Sequence, residues 1–414
     1  MNTLYENKMS ESTVPVKQVH IIGAGPVGLF LTALLQTKEG FSVKLYEKRH
    51  SYTRTRMVKL SPFLVADSLE SYIEDYIDED NIQAVFEGQE IQQTLAFRRD
   101  LAPDLITLIQ KWIKGFCPLN VIETTLSNLI DRRETKSVLR IESNITYDEL
   151  ITQINPGDIL IDCSGCKSLL RDYLVAGTQA GLKDANTFNI HLEYAIVVTF
   201  VYGRHYECNE HCKYYKNSEN TDYKFIPAVD RTFYNGNISF VSGIVNITPE
   251  DYNAMPVNFD GPWLREHFPR VAGSMDRFID KIKQETHGEI VGDIEIVRIP
   301  LNLYRAKNPT NLLLFDPKSG SHSLSEFPVF LVGDSALGSP YFQSISLGLE
   351  CAIHLAGLLS QSESDMKDIL LKYEQYLYKQ WMRVYMRSKL IKHNKDLFET
   401  IDDPVRTLNL LHIY

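Results

Sequence analysis

The run Val19-His20-Ile21-Ile22-Gly23-Ala24-Gly25-Pro26-Val27-Gly28, with an acid further on at Glu47, constrains this chain more than any other feature. It reads as a buried strand that enters a glycine turn and continues as a helix. Gly23 permits the tight turn, Gly25 lets the backbone approach a pyrophosphate, and Gly28 lets helix and strand pack closely. The first helical turn, with Pro26 and Val27, offers free N–H groups and the positive end of the helix dipole to phosphates. Glu47 closes a second strand, Ser42-Val43-Lys44-Leu45-Tyr46, where a carboxylate can accept bonds from the adenosine ribose hydroxyls. A glycine triplet alone is a weak signal. Here it has the strand before it, the helix after it and the acid about twenty residues on, which together point to an adenine dinucleotide.

Composition narrows the class. A chain of 414 residues suits two domains or one large composite domain, and its 44% hydrophobic content supports a sizeable core. A formal net charge of -10 argues against a nucleic-acid groove. No apolar run reaches the length of a membrane span, and the longest, Tyr194 to Tyr202, reads as a strand. The first residues lack a secretory apolar segment. Six cysteines in a chain of this length do not make a disulfide framework, so reduced thiols and a cytoplasmic location are expected.

Along the chain, the helix after Gly28 places Phe30, Leu31, Leu34 and Leu35 on one face. Residues 63 to 150 read as mainly helical, and Ile159-Leu160-Ile161 as a short buried strand. From about Phe188 the pattern changes. Leu192 to Tyr202, Asn237 to Ile247 and Ile294 to Ile299 are rich in β-branched and aromatic residues, joined by a long, polar, tyrosine-rich stretch. Phe327 to Val332 is a second apolar strand, ending in Gly333-Asp334. A helix follows with Ile345, Leu349, Ala352, Ile353 and Ala356 on one side, and Met366 to about His393 forms an amphipathic tail helix.

Gly333-Asp334 closes one strand and precedes a helix. A carboxylate there can bind a sugar-alcohol hydroxyl, and the next helix N-terminus can face an electron-rich ring. A nicotinamide dehydrogenase has no need of this late site. A flavin does, because its ribityl chain and ring extend away from the first turn. The two motifs together point to FAD. The expected fold class is α/β: a Rossmann-type FAD-binding domain assembled from residues 15–187 and 300–362, an inserted β-sheet substrate domain at 188–299, and a C-terminal helical segment at 363–414.

The chain resembles the single-component FAD-dependent aromatic hydroxylase family, the group of para-hydroxybenzoate hydroxylase, kynurenine 3-monooxygenase and the MICAL monooxygenase domain. Tyr46-Glu47-Lys48-Arg49 with Thr53-Arg54-Thr55-Arg56 resembles the acid and arginine pair that those enzymes place over FAD. Asp158 to Arg171 resembles the Asp-Gly-x-x-Ser-x-x-Arg element, with Ser164 and Gly165 at its core. Gly333-Asp334 with Pro340-Tyr341-Phe342-Gln343, Ser344, Ile345 and Gly348-Leu349-Glu350 resembles the Gly-Asp element and its helix. Ile299-Pro300-Leu301 resembles the strand that returns from the substrate domain. The resemblance spans roughly residues 18 to 360. It implies a monooxygenase in which NAD(P)H reduces the flavin, oxygen adds to it as a C4a-hydroperoxyflavin, and one oxygen atom passes to a small aromatic or polycyclic substrate. No side-chain nucleophile is needed, so no catalytic residue is named. His191, Tyr194, Phe240, Arg298 and Tyr304 are candidates for the substrate pocket, with sheet packing as the alternative for each. An arginine there would suit an anionic substrate.

The chain departs from the family pattern in three places. Ser164-Gly165 stands where the family has Asp-Gly, Leu337 stands where it has histidine, and Gln343-Ser344-Ile345-Ser346 replaces a glycine-rich loop whose helix Ser344 can cap. These departures keep two alternatives open: an FAD-binding protein with little turnover, and a flavin oxidase or reductase without oxygen insertion. His205, Cys208, His211 and Cys212 are legitimate zinc ligands by type, but their spacing is crowded and a polar loop is the expectation, with no metal. Cys163 and Cys166 read as plain neighbours of the cofactor. The cluster Lys48, Arg49, Arg54, Arg56 and Lys59 reads as charge neutralisation at a pyrophosphate.

Overall fold

A computed structural model describes residues 16–65, 88–133, 137–174, 184–204, 223–229, 238–315, 325–339, 344–361 and 365–400. The strand β1 (Lys17–Ile22) leads through the glycine turn into α1 (Pro26–Leu35), and β2 (Phe41–Glu47) returns beside it. The ribbon strand β3 (Met57–Lys59) is followed by α2 (Gly88–Arg99) and α3 (Pro103–Trp112), then by its partner β4 (Phe116–Pro118). Next come α4 (Leu119–Arg132), β5 (Val138–Glu142), α5 (Tyr147–Gln153) and β6 (Ile159–Asp162). A second region holds β7 (Thr187–Tyr202), β8 (Phe225–Val229), β9 (Ser239–Ile247), α6 (Pro249–Ala254), β10 (Asn258–Asp260), α7 (Gly261–His267), α8 (Pro269–Thr286) and β11 (Ile290–Ala306). The chain closes through β12 (Thr310–Phe315), β13 (Ser325–Leu331), β14 (Leu337–Gly338), α9 (Ser344–Leu359) and α10 (Met366–Thr400).

The first sheet has the order β12-β13-β6-β1-β2-β5. From β13 to β5 the neighbours are parallel, and β12 is an antiparallel edge strand. The apolar runs of β1 and β6 are what a parallel sheet needs when both faces are covered. The helix α1 is buried over its whole length from Gly28 to Leu35, not along one stripe. It is held between the sheet, α4 and α9, so an all-round apolar sequence is required. Within 63–150 the mainly helical expectation misses the short β4 and, in the first sheet, β5. That strand is an edge, with its residues half-buried or exposed and Leu139 57% exposed, so the sequence carries no clean alternation.

The second sheet is antiparallel, in the order β10-β11-β7-β9-β8. On one face, Ile196, Val198, Phe200, Ile294 and Ile296 pack against Leu264, Val271, Met275, Phe278 and Ile282 of α7 and α8. The helix α8 lies within the stretch that reads as polar linkage. Its buried Met275, Phe278, Ile279 and Ile282 recur at helical spacing, and it ends at His287 in the left-handed conformation (φ 54°). A smaller cluster of Ala195, Val197, Ile244 and Leu301 lies on the other face.

The β7–β11 ladder contains a bulge. Leu301 pairs with Glu193 and Asn302 with His191, so Leu192 is skipped. Leu192, Leu303 and Ala306 belong to the core of the first sheet. The expected boundaries at 188 and at 299/300 therefore fall inside two continuous strands that join the two cores. The tail helix α10 packs on the first sheet through Ile369, Tyr373 and Leu377, and the Tyr373 hydroxyl donates to the Leu331 carbonyl at 3.1 Å. Among the described residues, no helix is long and apolar enough to cross a membrane.

Candidate functional site

At the end of β1, Gly23 takes φ 94°, and a Cβ there would lie 2.8 Å from the Cys163 carbonyl oxygen. A Cβ on Gly28 would lie 1.9 Å from the Gly23 oxygen. Both positions exclude side chains, one by backbone conformation and contact, the other by contact alone. Gly25 differs. It is the N-cap of α1, it supplies no side-chain cap, and Pro26 occupies the first helical position. Among the described residues, a Cβ placed on Gly25 would have within 4 Å only the guanidinium ends of Arg54 and Arg49, at 3.7 and 4.0 Å. The free helix start, flanked by two cations, suits a phosphate.

The Glu47 carboxylate accepts the Ala24 N–H at 2.9 Å and the Arg49 N–H at 3.0 Å, and Arg49 Nε and Nη2 also donate to it at 3.0 Å. Burial alone would push this carboxyl up, but the Arg49 bonds and charge with the Ala24 N–H outweigh burial and hold it below the usual carboxylate range. Arg49 Nη1 reaches on to the wholly buried Glu123 at 3.3 Å, and Arg54 Nη2 donates to the same oxygen, Glu123 Oε1. Glu123 sits among Leu119, Ile122 and Leu126 on the buried face of α4, and the sequence reading missed it. A lone acid on the apolar face of a helix is the signal that could have found it.

Beyond β6, buried Asp162 organises the Ser164-Gly165 turn. Its Oδ1 accepts the Ser164 N–H at 2.8 Å and the Ser164 hydroxyl at 2.5 Å, while its Oδ2 accepts the Ser168 hydroxyl at 2.6 Å and the Leu170 N–H at 2.8 Å. The Ser164 hydroxyl is thus turned inward. Arg171 donates to the Cys166 carbonyl at 2.8 Å and lies over the Tyr304 ring. Burial pushes the Cys163 thiol up, which leaves it an inert wall residue.

Beyond β13, Gly333 takes φ 67° and Asp334 follows. The Ser344 hydroxyl, at the first residue of α9, donates to the Asp334 carboxylate, and the Tyr304 hydroxyl donates to its carbonyl at 2.7 Å. Burial pushes the Asp334 carboxyl up, opposed by the Ser344 hydroxyl and the charges of Arg56 and Arg54. Ser335 ties this corner to β6 by donating to the Asp162 carbonyl. A Cβ on Gly348 would lie 2.6 Å from Val27, so the starts of α1 and α9 meet closely.

All these corners open onto one cleft of about 510 Å³. The carboxyl ends of all five parallel strands line it: Ile22 at the end of β1 with Gly23 after it, Tyr46 and Glu47 in β2, Ser143 to Ile145 after β5, Cys163 to Gly165 after β6, and Val332 and Asp334 after β13. Gly25, Pro26, Val27, Lys48, Arg49, Arg54, Arg56, Ser344 and Ile345 complete the predicted part of its wall. Gly28 and Gly333 stand just behind it as packing positions. Pro340 and the His205, Cys208, His211 and Cys212 group lie outside the described residues. The Ser143–Ile145 wall follows β5, a strand that the mainly helical reading of 63–150 does not single out.

The five substrate-pocket candidates are not brought together, and none of them lines this cleft. Because of the bulge at Leu192, His191 and Tyr194 share a face despite their odd spacing, with rings 4.2 Å apart. Tyr194 packs on Tyr252 of α6, and Arg298 lies over Tyr252 at 4.5 Å and donates to its carbonyl. That face is the one covered by helices. Phe240 pairs with Val201, on the opposite face from the Phe200 row, and Tyr304 stands at the Gly-Asp corner. Strand parity sets Phe240 apart, position along β11 sets Tyr304 apart, and the bulge brings His191 onto the Tyr194 face.

The residues fit FAD on observations of this structure: an N-cap glycine without a side-chain cap, two arginines converging on it, and a buried carboxylate at the second corner of the same cleft. No protein-family model and no curated protein matches the chain. Solved structures do. Tetracycline destructase Tet(51) superposes with TM-score 0.51 at 15% identity, covering 92% of each chain. CtdE, solved in complex with FAD, gives TM-score 0.51 at 12% identity over 90% of this chain and 94% of that one. OxyS anhydrotetracycline hydroxylase from Streptomyces rimosus gives 0.50 at 15% identity, over 96% of this chain and 73% of that one. The chain has the fold of the FAD-dependent aromatic hydroxylases.

Proposed function

We propose that the chain is a cytoplasmic FAD-dependent monooxygenase that takes electrons from NAD(P)H and inserts one oxygen atom of O2 into a small aromatic or polycyclic molecule. The observation that carries this reading is the single cleft lined by all five parallel strand ends, with Gly25 and Asp334 in its wall. In this reading the N-terminus of α1, Arg49 and Arg54 hold the pyrophosphate, Glu47 takes the ribose hydroxyls, and Asp334 takes the ribityl chain. The start of α9, with Ser344 and Ile345, faces the ring, where its dipole favours negative charge. Bound FAD supplies the redox and oxygen chemistry. The protein's residues bind, orient and exclude water. Tetracyclines in the names of two structural neighbours favour the polycyclic class. Free thiols at Cys117, Cys163, Cys166 and Cys351 suit a reducing compartment.

The test is an absorption spectrum of purified protein given FAD, followed by a screen for compounds that accelerate NADPH oxidation, with product mass measured. A yellow protein and a product heavier by one oxygen atom support the reading. Protein that takes up no FAD refutes it. One observation favours a second reading, FAD binding with little turnover. Ser164 replaces the family's aspartate and its hydroxyl is spent on Asp162 rather than offered to the cleft. FAD uptake without substrate-stimulated NADPH oxidation would select it.

A further inference from the structure

We infer that Glu123 is a positioning residue for the phosphate site, holding Arg49 and Arg54 over the start of α1; this rests on the FAD reading. It lies outside every motif of the sequence. Arg49 Nη1 and Arg54 Nη2 share its Oε1, and its side chain is wholly buried. Two guanidiniums beside one glycine repel each other, and a shared carboxylate between them is what lets both stay. The helix α4 also holds the backbone of the arginine loop: Asn120 N–H donates to the Arg54 carbonyl at 2.9 Å and Leu119 N–H to the Arg56 carbonyl at 3.0 Å. One helix thus fixes both the main chain and the side chain of Arg54.

A second feature gives Glu123 more than an anchoring role. The four bonds from Ala24 and Arg49 fill the acceptor sites of Glu47. Ribose hydroxyls can bind Glu47 only when the Arg49 side chain turns away. Among the described residues, Glu123 Oε2 is buried without a hydrogen-bond partner. It is the acceptor to which Arg49 can turn without losing a carboxylate or leaving the phosphate site. A buried acceptor without a partner is costly unless something uses it, and Arg49 Nη1 already lies 3.3 Å from the other oxygen of the same carboxylate.

The experiment uses the full-length protein and three probes: FAD, ADP, which carries the pyrophosphate and ribose, and riboflavin, which carries no phosphate. Affinities are measured for wild type, Glu123→Gln and Glu123→Asp, with a thermal melt of each variant. Glu123→Gln keeps the shape and removes the charge. The expected result is an ADP and FAD affinity at least tenfold weaker, with riboflavin changed less than twofold. Glu123→Asp keeps the charge but withdraws it from the arginines, so it gives a smaller loss of the same pattern and serves if the Gln variant does not fold. In an Arg49→Met, Arg54→Met background the Glu123→Gln effect on ADP disappears. Equal losses for ADP and riboflavin, or no loss for ADP, overturn the role of Glu123 while leaving the FAD reading intact. Wild-type protein that binds neither FAD nor ADP overturns both.

Discussion

The two sheets carry their information differently. In the first, the positions that matter are fixed by the backbone: Gly23 and Gly333 have positive φ, and Gly28 has no room for a side chain. In the second, what matters is which face a side chain takes, and one skipped residue, Leu192, changes that for the segment of β7 before it. Backbone-forced residues leave a mark in the sequence because only one residue type fits. Face assignments leave no such mark once a bulge intervenes.

The largest expected effect separates these regions by glycine substitution. Gly28→Ala sets a methyl group 1.9 Å from a backbone oxygen, and should cost about 3 kcal/mol or more. Gly292→Ala, at the register shift of β11 between Val291 and Glu295, with φ 80° and nothing within 4 Å of a Cβ among the described residues, should cost only about 1–2 kcal/mol. Denaturant midpoints check both, and equal costs would break the comparison. Next in size, Arg54→Met should weaken ADP binding about tenfold by removing a charge-assisted contact, whereas Arg298→Met in the second sheet should leave it unchanged. An equilibrium titration decides, and an effect from Arg298 would mean that the helix-covered face takes part in nucleotide binding.

Tyr304→Phe removes the hydroxyl that ties β11 to the Asp334 carbonyl. A loss of about 1 kcal/mol in the melt is expected, and no loss would show that the two regions are not coupled there. The smallest effect is on acid stability. Because the Glu47 carboxyl is held below its ordinary value of 4.5, its contribution is fully present above that pH and is lost as pH falls through the lower folded value. Glu47→Gln should abolish this part of the acid sensitivity, about 1 kcal/mol or less. A stability profile between neutral and acid pH that matches wild type would contradict the lowered value.

The first sheet, the cleft and most of its wall were legible because a strand running into a glycine corner, with a helix and an acid after it, occurs from Val19 to Glu47 and again around Gly333-Asp334. What was not legible has physical reasons. The strand β5 is an edge and lacks alternation, so Ser143 to Ile145 stayed hidden. Glu123 acts from an apolar helix face through Arg49 and Arg54, and only the folded chain brings them together. The helix α8 has a mostly polar sequence, and its buried residues become evident only as a helical stripe. His191, Tyr194 and Arg298 are aromatic or charged residues on strands, as pocket residues would be, but here Tyr194 and Arg298 pack on Tyr252 of α6 and His191 is an exposed neighbour of Tyr194.

The account stands on both distant corners gripping one extended ligand. Binding of FAD, ADP and riboflavin to Gly25→Val and Asp334→Ala tests this directly. A Cβ at Gly25 would lie in ordinary contact distance, 3.7 Å, of the Arg54 guanidinium, so the valine obstructs the phosphate position rather than the core. Gly25→Val should lose ADP and keep riboflavin, Asp334→Ala should lose riboflavin and keep ADP, and both should weaken FAD. FAD binding that ignores either substitution would contradict the account.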